Sequence, residues 1–164
     1  MGERKPLASR IAQSAVIAAL YVVLTMVFAP ISFGPLQVRI AEVLTILPLF
    51  TFVAVPGLFI GCLLANLISG AIVLDVVFGS LATLIGAALG YVLRSNRWLV
   101  PIPAIISNSV IVPLVLKYGY GENLPLYLLM LYIAAGEILG CYVLGELFAS
   151  ALYKRKSIFS REKK

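Results

Sequence analysis

A glutamine, an arginine and a glutamate are grouped in the segment Gln37–Glu42, which leads directly into an apolar run that ends at Phe50. Removing such groups from water is costly, so inside a membrane protein they indicate a functional site by default. Arg39 and Glu42 are three positions apart, so on a helix they would share one face and partly neutralise each other. The pattern therefore predicts either a polar ligand-binding site or a structural ion pair that fixes the helix.

Four more polar residues interrupt apolar runs: Asn66, Asp75, Asn108 and Glu137. Each has a structural alternative. The two asparagines could hydrogen-bond between helices, and Asp75 could cap a helix N-terminus. Glu137 is the hardest to explain structurally, because only alanine, glycine, isoleucine and leucine flank it on both sides.

The residue inventory argues against catalysis. The chain contains no histidine, which removes the commonest general base and metal ligand. Cys62 and Cys141 lie in separate apolar runs without the spacing of a metal or redox motif, and no phosphate-binding glycine loop is present. The sequence therefore predicts a protein that is not an enzyme and that holds no cofactor or metal.

Composition indicates a membrane protein: 62% of the 164 residues are hydrophobic. A soluble domain of this size would need a more polar exterior. A helix needs about 20 apolar residues to span a bilayer. Apolar runs lie at about 11–29, 40–54, 56–72, 75–93, 99–117 and 126–153. The sequence predicts one all-α integral membrane domain, a bundle of six transmembrane helices over residues 1–164.

Basic residues predict its orientation. With six spans, 11 of the 13 lysines and arginines fall in the two terminal segments and the 94–97 loop; Arg39 and Lys117 are the others. Cytoplasmic segments are enriched in basic residues, so both termini are expected in the cytoplasm, with the chain crossing the plasma membrane several times. The polar residues would then converge in the outer half of the bundle. The loop from Pro30 to Gln37 would form an extracellular lid.

Small residues recur at helical spacing in several spans, which permits close helix approach. Ala12, Ala15 and Ala19 form such a stripe on the first span, beginning near its cytoplasmic end. This stripe could pack inside the bundle or contact another protein.

These features together resemble the substrate-binding (S) component of an energy-coupling factor (ECF) transporter. The strings Gln37-Val38-Arg39-Ile40-Ala41-Glu42 and Asp75-Val76-Val77-Phe78-Gly79-Ser80-Leu81-Ala82-Thr83, with Asn66-Leu67-Ile68-Ser69-Gly70 between them, resemble more narrowly the QueT family of queuosine-precursor transporters. The resemblance covers nearly the whole chain. It implies capture of a 7-deazaguanine, such as 7-aminomethyl-7-deazaguanine or queuine, from outside the cell. It also implies dependence on a transmembrane coupling protein and two separate ATPase subunits.

The chemistry of such a ligand suits the candidate residues. A 7-deazaguanine presents adjacent N–H donors that a carboxylate can accept as a pair, and we expect Glu137 to take this role. Aromatic side chains could stack on the flat ring, although tyrosines are also common at membrane interfaces. The predicted substrate-binding residues are Phe33, Gln37, Arg39, Glu42, Asn66, Asp75, Phe78, Asn108, Tyr132 and Glu137, and the predicted partner-binding residues are Ala12, Ala15 and Ala19.

Two alternatives remain open on the sequence. The chain could be a self-sufficient proton-coupled transporter of a small polar or cationic solute, with Glu137 and Asp75 as proton carriers. It could also be a structural membrane protein without a ligand.

Overall fold

The computed structural model describes residues 6–32 and 37–154, and every regular element in these ranges is helical. The chain begins with α1 (Leu7–Val27) and the short α2 (Ala29–Ser32). A 3-10 helix then covers Ile40–Leu49, followed by α3 (Ala54–Ile68) and α4 (Val73–Val92). The predicted all-α architecture is confirmed.

The second half contains a short 3-10 turn (Arg97–Leu99), α5 (Ile102–Tyr118) and one long final helix. This final helix runs from Leu126 to Lys154 and has three parts. They are α6 (Leu126–Glu137), a π-helical segment (Ile138–Leu144) and α7 (Gly145–Lys154). A π-helical segment is rare and is often found at functional sites.

Four helices of the described chain are long and apolar enough to cross a bilayer: Leu7–Val27, Val73–Val92, Arg97–Tyr118 and Leu126–Lys154. The apolar helices Ile40–Leu49 and Ala54–Ile68 are shorter, with 10 and 15 residues. At about 2.0 Å rise per residue, a 3-10 helix of this length reaches only about 20 Å, less than the hydrocarbon thickness of about 30 Å. The structure is thus a helical membrane bundle with four candidate spans and two shorter helices.

The sequence-based expectation that Arg39 and Glu42 share a helical face is wrong. Arg39 has extended backbone, with φ −80° and ψ 96°, and precedes the 3-10 helix that contains Glu42. Segment 37–39 instead packs against glycines of the final helix. Tertiary packing of this kind commonly overrides local helix propensity.

Glycines allow the closest helix contacts, as their spacing predicts. Gly57 and Gly61 of α3 lie against the backbone of α1, at Ser14 and Ala18. Gly86 of α4 lies in the same way against Ala104 of α5. These small residues let the backbones of neighbouring helices approach, so that α1, α3, α4 and α5 form one packed series.

Four of the six described basic residues lie at the start of α1, after α4, before α5 and at the end of α7, and we call this end of the bundle the basic end: Arg10, Arg94, Arg97 and Lys154. The rings of Phe50 and Tyr153 pack there with 5.2 Å between centroids and a tilt of 59°. Arg97 joins the loop before α5 to the final helix, since its Nε donates to Glu146 Oε2 at 2.6 Å. Ser14 of α1 donates to the Val53 carbonyl oxygen at 2.7 Å, so the first half of α1 and the end of α7 both lie near the loop after the 3-10 helix.

Candidate functional site

A cluster of buried polar side chains lies away from the basic end, where the 3-10 helix meets the final helix. The close contact between segment 37–39 and the final helix depends on two glycines. A Cβ at Gly136 would overlap the carbonyl oxygen of Gln37, and a Cβ at Gly140 would lie 3.0 Å from the carbonyl oxygen of Arg39. Glycine at both positions thus lets segment 37–39 lie directly on the final helix, which brings the Gln37–Glu42 motif to Glu137.

Glu42 and Glu137 face each other in this cluster. A carboxylate oxygen of each and the sulfur of Cys141 all lie within 4.8 Å of one another, and the three side chains are buried. Cys141 Sγ donates to Glu137 Oε2 at 3.0 Å. The structure thus places a second carboxylate directly beside Glu137.

Tyr21 of α1 makes a hydrogen bond to Glu42. Its hydroxyl donates to Glu42 Oε1 at 2.5 Å, and both residues are almost completely buried. Hydrogen bonds to a charged acceptor are short and stronger than neutral ones. Tyr21 therefore fixes the orientation of the Glu42 carboxylate and connects α1 to the cluster.

Arg39 forms an ion pair with Asp75, with 3.9 Å between Arg39 Nη2 and Asp75 Oδ1. Asp75 lies in the first turn of α4, but Ile72 is the N-cap residue and makes no side-chain cap. The predicted N-cap alternative for Asp75 is therefore wrong. Asn66 packs at the same place, since its Nδ2 donates to the Asp75 carbonyl oxygen at 3.2 Å.

Tyr120, in the loop after α5, contacts Asp75 in this part of the cluster. Its hydroxyl donates to Asp75 Oδ2 at 3.1 Å and accepts from the Ile72 backbone N–H at 3.3 Å. Partial burial raises the pKa of the Tyr120 hydroxyl, and the nearby Asp75 charge raises it further. The hydroxyl is therefore protonated at neutral pH and can keep both hydrogen bonds.

Asn108 of α5 is completely buried, and its amide lies beside the Glu137 carboxylate. Neither its amide nitrogen nor its amide oxygen has a hydrogen-bond partner of good geometry among the described residues. An unmatched buried amide is costly, so most native amides are paired. The amide nitrogen of Asn108 faces the Glu137 carboxylate, and its amide oxygen is an acceptor without a partner among the described residues.

The other predicted site residues lie outside these contacts or at their edge. Gln37 is buried where its backbone meets Gly136. Phe78 is 46% exposed on α4, and Tyr132 is partly exposed on α6. Phe33 and most of the predicted lid, residues 33–36, lie outside the described residues.

Three residues of the cluster were not among the site residues predicted from the sequence: Tyr21, Tyr120 and Cys141. A signal existed for Cys141, because it lies four positions after Glu137 and so on the same helical face. Tyr21 and Tyr120 gave no comparable signal, since their contacts join distant parts of the chain.

The alanine stripe of α1 faces outward. Ala12, Ala15 and Ala19 are exposed. The buried residues of α1 lie on the face that packs into the bundle, and they are Ile17, Ala18, Tyr21 and Thr25. The described chain therefore leaves this stripe without an internal packing role.

The fold and the cluster define a helical membrane protein with a buried polar site. A family model described as QueT transporter matches residues 11–154, so the chain belongs to the QueT transporter family. The resemblance of the sequence motifs to the QueT family is thereby confirmed.

A curated relative is named Queuosine precursor transporter QueT, from Lactococcus lactis subsp. cremoris (strain MG1363). It is 41% identical over 81 residues, which cover 48% of this chain and 47% of that protein. The chain thus matches about half the length of this relative. No solved structure matches the chain.

Proposed function

We propose that this protein is the substrate-binding subunit of an ECF-type ATP-driven importer and that it captures a queuosine precursor, a 7-deazaguanine, from outside the cell. The observation that carries the proposal is the convergence of Glu42, Asn108 and Glu137 in a buried cluster of a QueT-family chain. Carboxylates accept the N–H donors of a deazaguanine, and the amide oxygen of Asn108 is a further buried acceptor.

The proposed topology has six membrane-crossing segments, in which the two shorter helices accompany the four long ones. The basic end faces the cytoplasm with both termini, in keeping with the positive-inside rule. The polar cluster then lies on the outer side of the plasma membrane. Gln37, Arg39, Asn66 and Asp75 support the site, and Phe78 and Tyr132 are the proposed stacking residues.

The exposed stripe of Ala12, Ala15 and Ala19 is the proposed contact with the transmembrane coupling protein, which in turn binds two ATPase subunits. Small exposed side chains on a membrane helix allow another helix to approach closely. The stripe is available for such a contact because α1 uses a different face for its own bundle.

Native mass spectrometry of the purified full chain tests the proposed ligand class. We expect a co-purified species of deazaguanine mass, or one that appears after incubation with 7-aminomethyl-7-deazaguanine. Uptake in cells should require the coupling protein and ATP. A chain that binds no deazaguanine under either condition would refute the proposal.

A proton-coupled transporter is the second candidate, because Glu42 and Glu137 face each other and could share a proton. Two carboxylates at short distance commonly hold one proton between them. Asp75 is less suited to this role than the sequence suggested, since it pairs with Arg39. Uptake that stops with a proton uncoupler and survives ATP depletion would support this candidate.

A further inference from the structure

The final helix changes its backbone hydrogen bonding next to the polar cluster. The π-helical segment Ile138–Leu144 begins one residue after Glu137. At its end the Gly145 backbone N–H bonds to the Gly140 carbonyl oxygen, five positions back, whereas an α-helix bonds four positions back. A π-helical turn therefore holds more residues than an α-helical turn. Such segments are rare and usually a single turn, so one of seven residues beside a buried polar site indicates a functional role.

Arg97 fixes the part of the final helix that follows this segment. Its Nε donates to Glu146 Oε2 at 2.6 Å, and its Nη2 donates to Ser150 Oγ at 2.8 Å and to the Glu146 carbonyl oxygen at 3.3 Å. Glu146 is buried, so water and salt screen this ion pair only weakly. These contacts hold α7 in one rotation about its axis. A change of register in the π-helical segment must therefore move α6, which carries Glu137.

Conversion of the π-helical segment to an α-helix would shift the register of α6 by one residue. With α7 fixed, α6 would turn by about 100° about its axis, the angle between successive residues of an α-helix. Because an α-helical turn holds fewer residues, the next residue in the chain would take each place on the surface of α6. Glu137 would move to the place of Gly136, and Ile138 would move to the place of Glu137. An isoleucine would then face Glu42 where a carboxylate faces it now.

The shifted register is incompatible with the present position of segment 37–39. The Gln37 carbonyl oxygen lies so close to Gly136 that even a methyl group at that place would overlap it. A glutamate side chain at the same place would overlap this oxygen as well, since it also begins with a Cβ. Segment 37–39 would have to leave the final helix, and Glu42, three residues further on, would move with it.

We propose that segment Ile138–Leu144 is a register switch that opens and closes the polar cluster. In the π-helical register Glu137 faces Glu42, and segment 37–39 lies on Gly136, as in the structure. In the α-helical register Glu137 has left the cluster and segment 37–39 is displaced. A ligand that contacts both carboxylates binds only the π-helical register and stabilises it by that difference in affinity. The existence of two registers does not depend on the proposed function, whereas their effect on a deazaguanine rests on it.

Double electron–electron resonance (DEER) on the detergent-solubilised full chain measures the register. Spin labels are attached through Tyr127→Cys and Leu147→Cys, on either side of the π-helical segment, in a chain that also carries Cys62→Ala and Cys141→Ala. Both labelled positions are 64% exposed. A shift of one residue changes their separation along the axis by about 1.5 Å and their relative rotation by about 100°. We expect two distances without ligand and one with 7-aminomethyl-7-deazaguanine. A single distance that the ligand does not change would overturn the inference.

Deletion of Val143 tests the role of the additional residue in the π-helical segment. Val143 is 45% exposed, so its loss shortens the segment without removing a buried side chain. The shortened segment can form an α-helix while Glu137 and the contacts of Arg97 keep their present places. We expect a single DEER distance without ligand. Ligand dissociation in stopped-flow measurements should be slower by about tenfold or more, because the open register is lost. Val143→Ala keeps the length of the segment and should behave like the unmodified chain.

The outcomes separate the switch from the proposed function. Two distances in the deletion variant, or ligand dissociation from it at the unmodified rate, would overturn the inference and leave the proposed function standing. If the deletion variant does not fold, the distances in the labelled chain of native length decide alone. If 7-aminomethyl-7-deazaguanine does not bind, the proposed function fails. Two distances in the ligand-free chain of native length would still support the switch in that case, and a single distance would overturn it.

Discussion

The guanidinium of Arg39, in the extended segment before the 3-10 helix, lies 3.9 Å from the carboxylate of Asp75 in α4, and both side chains are buried. Local spacing suggested that Arg39 would pair with Glu42 instead. Glu42, three residues later, meets Tyr21 and Glu137. The ion pair therefore connects the segment that carries Glu42 to α4.

Asp75→Asn is expected to lower the free energy of unfolding by about 3–5 kcal/mol, because it leaves the buried Arg39 charge without this partner. Unfolding in detergent, followed by circular dichroism during SDS titration, measures the change. The double variant Arg39→Met with Asp75→Asn should lose less than the sum of the two single variants. Strict additivity would show that the ion pair contributes nothing.

Tyr21→Phe is expected to destabilise the protein by about 1–3 kcal/mol, since it removes the donor to a buried carboxylate. The thermal unfolding midpoint of the solubilised protein reports this loss. Tyr127→Phe is the matched control, because Tyr127 is 64% exposed. Equal midpoints for the two variants would mean that the hydrogen bond to Glu42 is not a stabilising contact.

Gly136→Ala is expected to abolish tight ligand binding and to destabilise the protein by about 1–3 kcal/mol, because the added methyl group overlaps the Gln37 carbonyl. Segment 37–39 must then move off the final helix, taking Arg39 and Glu42 with it. Gly145→Ala serves as control on the same helix, since its Cβ would lie 3.6 Å from its nearest neighbour. Calorimetry and thermal unfolding of both variants check this, and normal binding by Gly136→Ala would contradict it.

Ala15→Trp is expected to abolish uptake while ligand binding to the isolated protein stays within about twofold, because a bulky side chain blocks close helix approach. Ala135→Trp provides the control, as an exposed alanine on another helix. Cell uptake and calorimetry measure the two properties separately. If Ala15→Trp also lost ligand binding, the stripe would serve the protein's own bundle and not the coupling protein.

The sequence by itself determined the helical membrane class, the family and most of the polar residues that matter. Long apolar runs indicate segments that lie in lipid, and basic ends indicate how the chain is oriented. Both can be read from the composition of each segment. Glycine spacing likewise predicted close helix contacts, which Gly57, Gly61 and Gly86 make. Glu137 stood out because a carboxyl group flanked only by apolar residues has few local explanations.

Only the tertiary structure decided the partners of these residues. Segment 37–39 adopts extended backbone because it packs on Gly136 and Gly140, and no local pattern encodes that contact. The same packing brings Glu42 to Glu137 and lets Arg39 reach Asp75. Polar partners inside a bundle depend on how helices far apart in the chain are placed, whereas hydrophobicity is a property of each segment. The chemistry of the site therefore becomes visible only when the helices are assembled.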